Sequence, residues 1–88
     1  MFTIIHKLGG TMTHETWGDC RRQLTSIYGP DIVGERLHGD PIDDWSTPPD
    51  MLGSAVFVWE DAESREADHN ELTYGQRTVA TVFQGGQP

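Results

Sequence analysis

Four histidines (His6, His14, His38 and His69), a single cysteine (Cys20) and fourteen carboxylates are the groups in this sequence that could move a proton, hold a metal or attack an electrophile. Their spacing argues against each of those chemistries. No two histidines stand four residues apart, and none stands at a ligand spacing from Cys20, as a zinc site would need. Asp68-His69 with Glu71 would make part of a metal site only if the fold brought up His38 or Asp40. The acidic stretch fails as a calcium loop, because Glu66 stands where glycine is required and Arg65 where an oxygen ligand belongs. Ser26, Ser46, Ser54 and Ser64 lack the context of a nucleophile elbow, and Gly9-Gly10 is too short for a phosphate loop. Cys20 falls on an apolar helical stripe, where a thiol packs and stays inert. The residues therefore predict no enzyme, no catalytic residue, no metal and no cofactor.

The carboxylates point instead to charge. Fourteen acids against six Lys and Arg leave a net charge of −8 on 88 residues, which repels phosphates and anionic lipid and favours basic surfaces. Glu60, Asp61, Glu63, Glu66, Asp68 and Glu71 fall within one short stretch whose only cation is Arg65. If that stretch is helical, six carboxylates occupy about 18 Å of axis, or one per ~3 Å, close to the ~3.4 Å phosphate spacing of one DNA strand. Five of them (Asp61, Glu60, Glu63, Asp68 and Glu71) then lie within an arc of about 160°. Such a surface could occupy a groove that normally holds a nucleic-acid backbone. The ordinary alternative is a solvated face. Ala62 and Ala67 give the stretch almost no apolar side, and an Asp61–Arg65 pair adds only about 0.3–0.5 kcal/mol, so loop and helix both remain open.

Trp45 follows Asp43 and Asp44 in a proline-rich stretch and resembles an interface anchor with an anionic rim, on which an arginine of a partner could stack. The competing reading folds Trp45 back over an open sheet face. Lys7, Arg21, Arg22, Arg36, Arg65 and Arg77 are dispersed, so direct nucleic-acid binding is not expected. The expected partner-binding set is Asp43, Asp44, Trp45, Glu60, Asp61, Glu63, Asp68 and Glu71.

In overall character, with carboxylates gathered at Asp43-Asp44 and Glu60–Glu71 and no motif shared, the chain resembles the small phage-encoded counter-defence proteins of the anti-CRISPR type. That resemblance implies stoichiometric inhibition. The protein would sit on a basic, nucleic-acid-binding face of a CRISPR effector in the host cytoplasm and block target DNA or guide access. The alternative is a structural, assembly or antitoxin-like module that uses apolar contacts at Trp45 or a sheet edge, with a homodimer compatible with either reading.

The elements that must position these residues are few. Trp17, Cys20, Leu24, Ile27 and Tyr28 share an arc of about 100° and predict an amphipathic helix from about Thr13 to Tyr28. Thr11 or Thr13 could cap it, and Gly29-Pro30 stops it. Phe2–Lys7, Ile32–His38, Ser54–Trp59 and Gln76–Gln84 read as strands. The expected fold is α+β, with one helix on a three- or four-stranded, mainly antiparallel sheet. Residues 1–84 should form a single domain, with a Pro/Asp-rich loop at about 40–53, an acidic connection at about 60–71 and a flexible tail at 85–88. One cysteine and the lack of a long apolar run predict a cytoplasmic protein with no membrane partner.

Overall fold

The β-branched run at the N-terminus opens a hairpin. In the computed structural model, which describes residues 1–36, 41–42, 45–46, 55–70 and 74–84, β1 (Phe2–His6) pairs antiparallel with β2 (Thr11–His14), placing Ile4 opposite Met12. The reversal needs Gly9 and Gly10, whose φ angles of 109° and 97° suit no L side chain. His6 N–H donates to the Gly10 carbonyl at 3.0 Å and closes the turn.

The helix expected from Thr13 begins later. α1 spans Trp17–Tyr28, and Thr16, not Thr11 or Thr13, caps it by accepting the Asp19 N–H at 3.1 Å. The alternating Thr-Met-Thr-His segment has the period of a strand, and pairing with β1 wins over extension of the helix. The predicted stop holds: Gly29 has φ 105° and its N–H reaches the Thr25 carbonyl at 2.9 Å.

β3 (Val33–Arg36), β4 (Pro41–Ile42), β5 (Ala55–Trp59) and β6 (Ala80–Gln84) complete a six-stranded antiparallel sheet in the order β2-β1-β6-β5-β3-β4. β5 and β6 are neighbours despite the long connection between them, with Val56 opposite Val82. A second helix, α2 (Ala62–His69), lies within that connection. The architecture is α+β as expected, but the described residues form two helices and six strands where one helix and three or four strands were predicted. The differences are β2, the two-residue β4 inside the Pro/Asp-rich segment, and α2. Residues 40, 43–44 and 47–53 of that segment and the tail at 85–88 lie outside the described residues.

Strand alternation divides the sheet into two faces. Phe2, Ile4, Val56, Val58, Ala80 and Val82 pack against Trp17, Cys20 and Leu24 of α1, forming the main core. Glu35, Phe57 and Trp59 point the other way, where α2 lies. Trp45 joins the α1 side, its ring stacked on Trp17 at 5.0 Å between centroids and 9° between planes. Gly34 makes room for it, since a Cβ there would stand 3.0 Å from two Trp45 ring carbons. Among the described residues, no helix is long and apolar enough to cross a membrane.

Candidate functional site

α2 is held by polar groups where most short helices use apolar ones. β3 alternates so that Gly34 faces Trp45 and Glu35 faces α2, with its side chain entirely buried. Arg65 and His69 stand one turn apart on α2 and converge on that carboxylate. Arg65 Nε donates to Glu35 Oε2 at 2.6 Å, and a second guanidinium nitrogen also bonds this oxygen. His69 Nε2 lies 3.0 Å from both oxygens, and the Tyr74 hydroxyl donates to Oε1. Burial pushes the Glu35 carboxyl upward. The Tyr74 and Arg65 hydrogen bonds and the charges of Arg65 and His69 outweigh that push and hold it below the ordinary glutamate range. Burial, and then the Glu35 carboxylate, push the Tyr74 phenol upward.

Asp68 occupies the remaining inner position of α2. It is fully buried, and its Oδ2 accepts the Trp59 indole N–H at 2.8 Å and the backbone N–H groups of Gly75 and Arg77 at 3.0 and 3.3 Å. Inner residues Arg65, Asp68 and His69 therefore replace an apolar stripe. Both oxygens of Glu35 are engaged by the protein's own donors, so this cluster works as a fastener between helix and sheet.

The fastener settles what faces outward. Glu60, Glu63 and Glu66 are exposed, and Asp61 caps α2 by accepting the Ser64 N–H at 2.8 Å. That contact, first through the backbone and then through the Ser64 hydroxyl, lowers the Asp61 carboxyl from its ordinary value. Asp61 and Glu63 also sit at the positive end of the helix dipole, where anions are favoured. Arg65, the only Lys or Arg between Glu60 and Asn70, is turned inward onto Glu35. The outer surface of this segment carries Glu60, Asp61, Glu63 and Glu66 without an interspersed arginine or lysine.

The expected partner-binding residues are thus separated. Exposed Glu60 and the N-cap Asp61 precede α2, and exposed Glu63 stands in its first turn. The expectation for Asp68 does not hold in this structure, because its carboxylate is consumed inside by Trp59 and two backbone amides. Trp45 lies across the sheet from α2, beside a shallow depression lined by Gly18, Arg21, Arg22 and Ser46. Asp43, Asp44 and Glu71 lie outside the described residues. Sequence reasoning missed Glu35 and Tyr74 and left Glu66 out of the contact set. A signal for Glu35 existed: an acid inside a β-branched strand needs a cation, and the one arginine of the acidic stretch supplies it. Among the described residues, no group of three or more His, Cys, Asp and Glu is placed to hold a metal.

No protein-family model matches the sequence, and no curated protein or solved structure matches the chain.

Proposed function

We propose that this protein is an acidic inhibitor that binds a basic, nucleic-acid-binding surface of a larger protein complex and occludes it without chemistry, in the manner of the anti-CRISPR type. The single observation carrying this reading is the inward turn of Arg65, which leaves the exposed Glu63 and Glu66 of α2, with Glu60 and the N-cap Asp61 just before it, as acids without an interspersed arginine or lysine. A fixed array of like charges is repulsive in isolation, and a cationic groove relieves that repulsion. Binding of this kind is fast and weakens as salt rises, because exposed charges are screened beyond about 8–10 Å.

The test is expression of the protein in a bacterium with an active CRISPR effector, scoring survival of a targeted plasmid, together with capture of the effector at low and high salt. The wild-type chain should protect the plasmid and retain the effector only at low salt. Reversal of Glu60, Asp61, Glu63 and Glu66 to Lys should abolish both effects with circular dichroism unchanged. Undiminished protection or capture by that variant would sink the proposal.

A further inference from the structure

One edge of the sheet is built for pairing. The far edge among the described residues is β4, which carries Pro41, the usual device for blunting an open strand. Among the described residues the near edge, β2, has no such protection: Thr11, Met12 and Thr13 are exposed, with no proline, Lys, Arg, Asp or Glu in Thr11–His14. The hairpin register fixes which backbone groups it offers. His6 N–H bonds to Gly10, and the alternation carries that bonding through the Ile4–Met12 and Phe2–His14 pairs. The N–H and C=O groups of Thr11 and Thr13 therefore point away from β1, off the edge of the sheet.

We infer that β2 is the interface of a homodimer, in which two copies pair antiparallel about a twofold axis and join their sheets. Only one register uses all four outward residues at once: Thr11 of each copy opposite Thr13 of the other. It makes two hydrogen-bonded pairs, hence four backbone bonds, and sets Met12 directly against the partner's Met12 on the α1 side.

Three observations favour a second copy as the occupant. Met12 and Ile27 are 42% and 51% exposed, and Ile27 lies one turn along α1 from Gln23, which touches the Met12 sulfur. The axis thus falls on an apolar spot at the open edge. The same register brings Glu15 of each copy to the turn that carries Lys7 of the other, a complementary pair. Finally, the acidic helix does not oppose the contact. α2 lies on the opposite face over β5, three strands from β2 and so about 14 Å away in the sheet, beyond the ~8 Å screening length.

Sedimentation tests this directly. The native mass should rise from 9.8 kDa toward twice that value as concentration increases from about 1 µM to 1 mM, and Met12→Lys should stay monomeric throughout. Cysteine cross-linking keeps the inference testable if that variant folds poorly. Met12→Cys should form a disulfide-linked dimer under mild oxidation, because directly opposed strand residues lie within bonding reach. Leu8→Cys, fully exposed but about 26 Å from its copy in this register, should give at least about tenfold less. A wild-type chain that stays at 9.8 kDa up to about 1 mM, a dimer indifferent to Met12→Lys in its folded form, or equal cross-linking at positions 8 and 12 each overturns the inference.

Discussion

Arg65 Nε donates to Glu35 Oε2 at 2.6 Å across thirty residues of chain, and that contact ties the acidic helix to the sheet. Arg65→Leu leaves a fully buried carboxylate without its cation. We expect a loss of about 2–4 kcal/mol in urea unfolding, below the roughly 3–5 of a fully buried pair because Arg65 keeps 27% side-chain exposure. Adding Glu35→Leu should cost less than the sum of the two single changes, the mark of a shared interaction.

Acid should attack the same fastener. The folded Glu35 carboxyl is held below its ordinary value of 4.5, so its stabilising contribution is complete above that pH and is lost as pH falls through the lower folded value. Glu35→Gln lacks this component. The stability gap between wild type and variant should be constant near neutrality and narrow below about pH 4, as read by denaturant midpoints across pH.

Trp45 needs the absence of a side chain at position 34. Gly34→Ala places a methyl 3.0 Å from two Trp45 ring carbons and 3.3 Å from Val56 Cγ1, so the indole stacked on Trp17 must give by a few tenths of an ångström. Overpacking of this kind costs about 1–3 kcal/mol, and a thermal melt should show it. Gly34→Ala combined with Trp45→Ala should show a smaller additional loss than Gly34→Ala causes alone, since the clash has gone.

Two acids two residues apart should behave in opposite ways. Glu66→Lys changes an exposed position and should alter stability by no more than about 0.5 kcal/mol while weakening partner binding. Asp68→Ala strips the Trp59 indole and two backbone amides of their acceptor and should cost about 2–4 kcal/mol in urea unfolding.

Cys20 is buried, and burial pushes its thiol up to about 11. Thiol reagents at pH 8 should label it only as fast as the protein opens, and the rate should rise with denaturant. Rapid labelling of the native chain would place the α1 core in a looser state than described.

Much of the frame was legible from the residues. The strands at Phe2, Ala55 and Ala80 and the body of α1 carry strong periodic signals, and tertiary packing had no reason to override them. β2 was hidden because four alternating residues abut a helix of the same polarity, so the boundary looked like an early helix start. The second helix stayed undecided for a different reason. Its inner face is Arg65, Asp68 and His69, and no periodicity of apolar residues marks a face whose partners are Glu35, Trp59 and Tyr74. Its outer acids were legible by type, but that Asp68 turns inward depends on the Trp59 indole and the Gly75 and Arg77 amides, polar partners that leave no apolar periodicity in the sequence.

The near-parallel indoles of Trp17 and Trp45 carry a practical consequence. Two chromophores stacked at 5.0 Å couple their electronic transitions, so the folded chain should have an intrinsic near-ultraviolet dichroic signature. A ligand that lifts Trp45 from Trp17 would extinguish that signal, whereas one seated on the far side would leave it intact. The protein thus contains its own unlabelled optical gauge of which side has been touched.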